Sequence, residues 1–332
     1  MAAFLASAAP GAALAEDASS LLRQSVSAPL HISYAGRLEN VRFGSSRSEA
    51  TIYRIEHRAP NLTRRWYIAP QSLYGDWTVM RGSQSYNVDV RHRQVIVSTN
   101  AVVGDQVTLA DNVGLLMSNY RPLLGSPDTI AGRPAAEIAL MNRYTGQIAM
   151  RVWIDKQTHL VLEKESYAPN GSVIAHMRFD KIRYANDLPA AIFEAPRLTG
   201  FAIVRGLSHG APTNDFGSVV RAAGFQARSP KYLPEGFLPV TGDVSDIKGI
   251  RTLHLLYSDG IRTISLFENN RGAAVDLSRY KAQSTRVENH DAQYVQDGPT
   301  TLLTWAETGL HFTLVGDLSR TELARIAASV VP

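Results

Sequence analysis

The chain contains no cysteine. That excludes disulfides, thiolate nucleophiles and cysteine-ligated zinc. It has no run of about 18 consecutive apolar residues, so no helix is expected to span a bilayer. It has no Lys/Arg run and no basic helix, and its formal charge of +4 reads as a mixed, solvated surface. That argues against a nucleic-acid partner and leaves room for anionic lipid head groups or acidic peptides. No tandem repeat and no low-complexity segment is present. Also missing are the G-x-S-x-G elbow, H-E-x-x-H, the G-x-x-x-x-G-K loop and a G-x-G-x-x-G turn after a strand. A non-enzyme without cofactor or metal site is the expectation.

What is present is enough for two cores: 332 residues, 45% hydrophobic and 19% charged. Residues 1–15, MAAFLASAAPGAALA, are small and apolar and end in Ala13-Leu14-Ala15, an A-x-A cleavage pattern. They read as the remnant of a signal peptide cleaved after about Ala15, without the usual basic start.

A first helix is expected over Asp17 to Ser27, with Leu21, Leu22, Ser25 and Val26 on one face, stopped by Pro29. From Leu30 the period changes to two. Ile32, Tyr34, Gly36 and Leu38 alternate with polar neighbours, as do residues 50–57. Further strands are expected over Thr63–Ile68, Asp76–Arg81, Ser85–Val90 and Gln94–Ser98, a spacing that suits an antiparallel meander. Val107 to Tyr120 has helical spacing and is expected as a single amphipathic helix ended by Pro122. Strands resume at Ala135–Met141, Ile148–Asp155, Leu160–Tyr167 and Val173–Tyr184, with Asn170-Gly171 as a hairpin turn.

Residues 201–229, rich in glycine, read as a linker with a short helix over Asp215 to Ala223. A second unit follows. Leu233-Pro234-Glu235-Gly236-Phe237 is a turn, and Ser258-Asp259-Gly260 joins two apolar, β-favouring runs, Leu253–Tyr257 and Ile261–Phe267, as a hairpin. A helix or loop is expected around Asp276–Ala282, then strands near Thr285–Asn289, Thr301–Trp305 and Leu310–Val315. The last helix opens on a Ser319-x-x-Glu322 capping box.

These patterns carry a resemblance. The L-P-x-G-F entry, the strand ending Tyr257-Ser258-Asp259-Gly260, the strand Ile264-Ser265-Leu266-Phe267-Glu268-Asn269 and the closing Leu310–Leu318 segment resemble the C-terminal domain of the MucB/RseB family. Residues 17–196 resemble the lipoprotein-carrier fold of LolA and LolB, which is also the N-terminal domain of MucB/RseB. The matching features are the leading helix, Ser33-Tyr34-Ala35-Gly36, the Trp77 to Tyr86 hairpin, the helix before Arg121-Pro122-Leu123-Leu124, and Val152-Trp153-Ile154-Asp155 before a turn. The resemblance implies an α+β chain: a large curved antiparallel half-barrel with a helical lid, plus a small α+β C-terminal domain. The expected divisions are the 1–15 remnant, a 16–198 half-barrel, a 199–230 linker and a 231–332 C-terminal domain.

A curved sheet with large residues on its concave face cannot close-pack unless something fills it. Tyr34, Trp66, Trp77, Val79, Tyr86, Val88, Met150 and Val152 are the candidate cavity lining, with Val113, Leu116 and Met117 on the lid; ordinary core is the competing reading for each. Other groups read as structural. His290-Asp291 is too small a set for a metal. Glu163 and Glu165, on one face with Val161 and Tyr167, read as a solvated strand face. Arg64-Arg65-Trp66-Tyr67 reads as Trp66 and Ile68 inward with Arg65 and Tyr67 outward, or else as an anionic head-group site. His57 and His92 sit among arginines, which disfavours their charged form.

The resemblance implies an exported, periplasmic regulator of an envelope-stress (sigma-E) sigma factor. It would bind the periplasmic segment of a membrane anti-sigma factor and sense a lipid, lipoprotein or apolar peptide, peripheral to the membrane and open to homo-oligomerisation. The alternative is a lipid or lipoprotein carrier of the LolA type. An envelope hydrolase is a third reading.

Overall fold

The computed structural model describes residues 17–44, 48–100, 113–208, 210–247, 249–272, 277, 281–297 and 300–331. Helix α1 (Ala18–Ser27) buries Ala18, Leu21, Leu22 and Ser25, an i, i+3, i+4, i+7 stripe, and Pro29 lies in the 3-10 turn that follows. The strands come next: β1 (Tyr34–Phe43), β2 (Ser48–Arg58), β3 (Leu62–Ala69), β4 (Trp77–Arg81), β5 (Gln84–Asp89) and β6 (Gln94–Thr99). After helix α2 (Val113–Asn119) come β7 (Tyr120–Ile130), β8 (Arg133–Asn142), β9 (Ile148–Asp155), β10 (Val161–Tyr167), β11 (Val173–Tyr184) and β12 (Ala202–Ser208).

These form one open, curved sheet of 12 strands in the order β12-β6-β5-β4-β3-β2-β1-β11-β10-β9-β8-β7. The two halves of the meander join at β1–β11, where Gly36 faces Ile182. A Cβ on Gly36 would lie 2.5 Å from the Lys181 carbonyl and 3.0 Å from the Phe179 ring, so only glycine lets this pair approach. The inner face packs against α1 and α2 through Tyr34, Leu38, Tyr53, Ile55, Ile138, Val152 and Phe179. Asp155 accepts the backbone N–H groups of Gln157 and Thr158 at 2.7 and 3.0 Å, which forms the turn after β9.

The second sheet has 7 strands. They are β14 (Leu238–Ile247), β15 (Ile250–Ser258), β16 (Thr263–Asn269), β17 (Gln283–Val287), β18 (His290–Asp297), β19 (Thr300–Glu307) and β20 (Leu310–Gly316), in the order β14-β15-β16-β20-β19-β18-β17. Trp305 stacks on Phe312 at 4.9 Å in its core. Helix α3 (Phe216–Ala223) supplies Val219 and Ala223 to that core, and α4 (Arg320–Ala328) supplies Leu323, Ile326 and Ala327. Ser319 caps α4 by accepting from Glu322 N–H at 3.2 Å, but the Glu322 carboxylate reaches Tyr232 O–H instead of closing a reciprocal box. Short strands β13 (Ser229–Pro230) and β21 (Val330–Val331) tie the chain end to the connection.

Several expectations need correction. The lid helix stops at Asn119, and Tyr120 opens β7, which runs through Pro122, Gly125 and Pro127. β7 is the outer edge of the sheet, where a missing N–H costs no ladder bond. The part of the expected helix over 107–112 lies outside the described residues, as does most of 276–282. Residues 199–230 are not bare chain. Besides the expected short helix, which is α3, they hold β12, which pairs parallel to β6, and β13. β18 fills His290–Asp297, between the strands expected near Thr285–Asn289 and Thr301–Trp305, where no strand was expected.

Candidate inter-sheet groove and latch

Registers across β1 to β6 divide the expected cavity residues. Tyr34 pairs with His57, Leu38 with Tyr53, Ile55 with Arg65, and Arg65 with Thr78, so these share the inner face. Trp66 pairs with Trp77, Trp77 with Val88, and Val79 with both Arg64 and Tyr86, on the outer face. Tyr34, Met150 and Val152 are therefore inner, while Trp66, Trp77, Val79, Tyr86 and Val88 are outer, and the set lines no single cavity. Leu116 is buried in the inner core, with Met117 packed against it and Val113 half-buried. The reading of β3 is reversed by one residue. Arg65 is 2% exposed, with its guanidinium 5.3 Å from the Tyr53 ring, while Trp66 is 40% exposed. A guanidinium on a tyrosine face is a tolerable interior contact, so apolarity alone misassigns the parity.

His57 is also inner. Its ring stacks on Tyr34 at 5.0 Å, Nε2 donates to the Pro29 carbonyl at 2.8 Å, and Nδ1 lies 2.9 Å from Thr63 Oγ1. Burial, and not the neighbouring arginines, lowers its pKa, and the bond to the Pro29 carbonyl opposes that shift.

A register shift between Val161 and Glu163 puts Val161 inside with Ile154 and turns Glu163 out beside Trp153. Glu163 is not a solvated face residue. It is 5% exposed and holds His176 Nε2 at 2.8 Å and Arg178 at 2.5 Å. Its hydrogen bond raises the His176 pKa. Glu165 bonds Tyr167 O–H. Glu163, Glu165 and His176 stand close enough to share a metal ion, but the Arg178 contact already supplies Glu163 with a positive partner.

The large concavity lies between the sheets. It encloses about 1610 Å³, beyond the roughly 300–1,000 Å³ typical of small-molecule pockets. Ile148, Met150 and Met177 give it an apolar floor from the half-barrel, and Arg42, Glu49, Lys164 and His176 charge that bank. The far bank carries Tyr232, Leu233, Arg262, Glu322 and Arg325. Arg325 lies 4.2 Å from the Tyr232 ring, and the Glu322 bond raises the Tyr232 pKa. Of the expected cavity residues, Met150 alone lines this groove.

Next to the groove the sheets are latched. The β15–β16 turn inserts into the first sheet at the end of α2. Asp259 Oδ2 accepts from Tyr120 O–H at 2.8 Å and Arg262 Nε at 2.9 Å, and Oδ1 accepts the backbone N–H groups of Ile261 and Arg262. Asn119 Nδ2 donates to the carbonyls of Gly236 at 2.7 Å and Asp259 at 2.9 Å. Ile261 packs into the half-barrel core. Asp259 and Tyr120 are both buried, and burial raises the Tyr120 pKa, with the Asp259 charge adding to it. Asp-Gly marked the turn in the sequence. Nothing in the sequence marked its docking, because the partner residues lie about 140 positions away.

Residues 76–196 match the MucB/RseB N-terminal domain, and residues 227–330 match a domain of unknown function, DUF4367. No curated protein sequence matches the chain. Among solved structures, "Crystal structure of MucB in complex with MucA(peri)" superposes with TM-score 0.63 at 19% identity, covering 95% of this chain and 99% of that one. The Pseudomonas aeruginosa MucA/MucB complex gives 0.63 at 18% identity, over 96% and 99%. A crystal structure of MucB gives 0.57 at 18%, over 98% and 100%. The chain thus has the fold of these MucB structures, and its residues 76–196 are similar to the MucB/RseB N-terminal domain.

Proposed function

We propose that the protein is an extracytoplasmic regulator that binds the periplasmic segment of a membrane anti-sigma factor. The observation carrying this reading is the groove of about 1610 Å³ between the half-barrel mouth and the second sheet. Its size suits a peptide segment, and its banks offer both signs of charge over an apolar floor. The similar MucB structures, two of them complexes with MucA, support the choice of partner class. A lipid or apolar peptide bound in the half-barrel is the sensed signal, and a binding protein rather than an enzyme is the kind of molecule this makes. We assign residues 16–198 to the half-barrel and 231–332 to the C-terminal unit, with 199–230 as their connection. Among the described residues no helix is long and apolar enough to cross a membrane, which fits a protein working in the envelope space beside its membrane partner.

The test is native mass spectrometry and titration calorimetry of the mature chain with the periplasmic segment of its anti-sigma factor. A stable heterocomplex, weakened by added lipid, is the expected result. Ile148→Glu and Arg325→Glu, on half-buried and exposed positions of opposite banks, should each lower affinity without unfolding the protein. A lipid-loaded chain that ignores the segment would instead establish a carrier of the LolA type.

A further inference from the structure

Three connections of the first sheet meet at one corner. They are the 70–76 turn between β3 and β4, the 90–93 turn between β5 and β6, and residues 194–201 leading into β12. Hydrogen bonds fasten them together. Val90 N–H donates to Asp76 Oδ1 at 2.9 Å, Tyr67 N–H to the Asp76 carbonyl at 2.9 Å, and Ala202 N–H to the Arg93 carbonyl at 2.9 Å. The Arg93 guanidinium lies 6.0 Å from the Phe201 ring.

This corner exposes large apolar side chains that the fold leaves uncovered. Ile203 is 79% exposed, Tyr74 64%, Val90 43%, Trp66 40% and Leu198 37%. Trp66 is held in place: it stacks on Trp77 at 6.3 Å with planes 6° apart, and the Arg64 guanidinium sits 5.6 and 5.1 Å from the two rings. A depression of about 270 Å³ opens beside them, between Arg64, Trp77 and Leu198. Arg91, Arg93 and Arg197 are exposed around the tips. The acids of the corner are fewer than its arginines: Asp76 accepts Val90 N–H, Asp89 accepts the N–H and faces the ring of His92, and Glu194 is exposed on the rim of the depression beside Arg197.

Single exposed apolar residues need no explanation, but a contiguous set rimmed by cations marks an interface. Tyr74, Val90 and Leu198 stand on the connections, and Trp66 and Ile203 on the adjoining strands β3 and β12, so the exposed set is spread over the outside of the sheet corner and fits a deformable surface rather than a preformed cleft. Aromatic and aliphatic tips with arginines beside them match the boundary between acyl chains and anionic head groups. We propose that this corner docks the protein on an anionic lipid surface, with Trp66, Tyr74 and Ile203 at head-group depth and Arg91 and Arg197 on the phosphates. None of these residues lines the inter-sheet groove, so the surface is separate from the partner site.

The mature chain is sedimented with phosphatidylcholine vesicles with and without phosphatidylglycerol. Binding is expected only to the anionic vesicles and should fall with salt. Arg91→Gln with Arg197→Gln should lower partitioning about 25-fold, from about fivefold per arginine. Tyr74→Ser with Ile203→Ser should lower it about tenfold or more. All these side chains are exposed, and circular dichroism of each variant checks that it folds. The proposal is overturned if wild type ignores anionic vesicles, or if the variants bind them as wild type does, which would place lipid inside the half-barrel instead. The same variants should keep wild-type affinity for the anti-sigma segment. If they lose that and keep the vesicles, the corner is a protein interface and the lipid assignment is wrong.

Discussion

Asp259 is 1% exposed and satisfies donors from two sheets at once. Removing a buried charge leaves its cation uncompensated, which costs more than the pair contributes. Asp259→Ala should lower stability by about 3 kcal/mol, the low end for a buried pair because the Arg262 side chain is 26% exposed. Tyr120→Phe deletes one donor and keeps the ring, so about 1 kcal/mol is expected. Urea denaturation of both variants checks the difference. Glu268 presents the opposite case. It is 0% exposed, Oε2 accepts the Arg228 N–H, Oε1 has no hydrogen-bond partner among the described residues, and the Arg228 guanidinium is turned to Glu307 and Thr308. Burial pushes its pKa up to about 7. A raised folded pKa means that its share of stability is fully present below the unfolded value near 4.5 and is lost as pH rises through about 7. Glu268→Gln should therefore flatten the fall in melting temperature between the unfolded value near 4.5 and the folded value of about 7, and be the more stable protein above it. An unchanged pH slope would show that another group is responsible.

At the scale of elements, the turn Asp259-Gly260 is both a hairpin and a plug. Gly260 has φ of +100°, and a Cβ there would lie 2.6 Å from Leu116 Cα and 2.7 Å from Leu116 N in α2. Gly260→Ala combines a left-handed strain of about 1–2 kcal/mol with overpacking of about 1–3 kcal/mol. The expected outcome is a loss of roughly 3 kcal/mol and faster proteolysis in the 199–230 connection, read by limited digestion. The hairpin itself was legible: Asp-Gly between apolar runs, like Asn170-Gly171 between β10 and β11, is local chemistry. So was β9, where Met150, Val152 and Ile154 alternate inward; β11 was legible as a strand, though a bulge at Asp180 shifts its inward set from Met177 and Phe179 to Ile182 and Tyr184. β7 was not legible, because Pro122, Gly125 and Pro127 read as breakers unless the strand is known to be an edge. The faces of β3 and β10 were not legible either. Arg65 goes inside onto Tyr53, and the irregularity after Val161 inverts parity for Glu163, and both depend on contacts from other strands. The groove escaped the sequence for a plainer reason: its two banks come from segments far apart in the chain that only the tertiary fold brings together.

For the whole molecule, the latch and the groove share structural parts. Asn119 ends α2, whose Leu116 sits in the half-barrel core, and its amide holds Gly236 and Asp259 of the second sheet. The Gly236 turn follows directly on Leu233, Pro234 and Glu235, which line the groove. An apolar ligand that shifts Leu116 must therefore move Asn119 against two carbonyls that position the far bank. If lipid in the half-barrel weakens the anti-sigma segment by some factor, the segment must weaken lipid by the same factor, since the coupling free energy belongs to the pair. Asn119→Ala removes the amide bridge and leaves the core side of α2 in place. The variant should bind lipid and segment separately near wild-type strength, while the coupling falls from the 5- to 150-fold range typical of allosteric pairs to about onefold. Titrating each ligand in the presence and absence of saturating amounts of the other measures this. Coupling that survives in Asn119→Ala would mean that the signal passes through another contact, such as the Asn100 amide on the Gly210 carbonyl at 3.2 Å, where the connection after β12 meets Asp243 and Ser245 of β14.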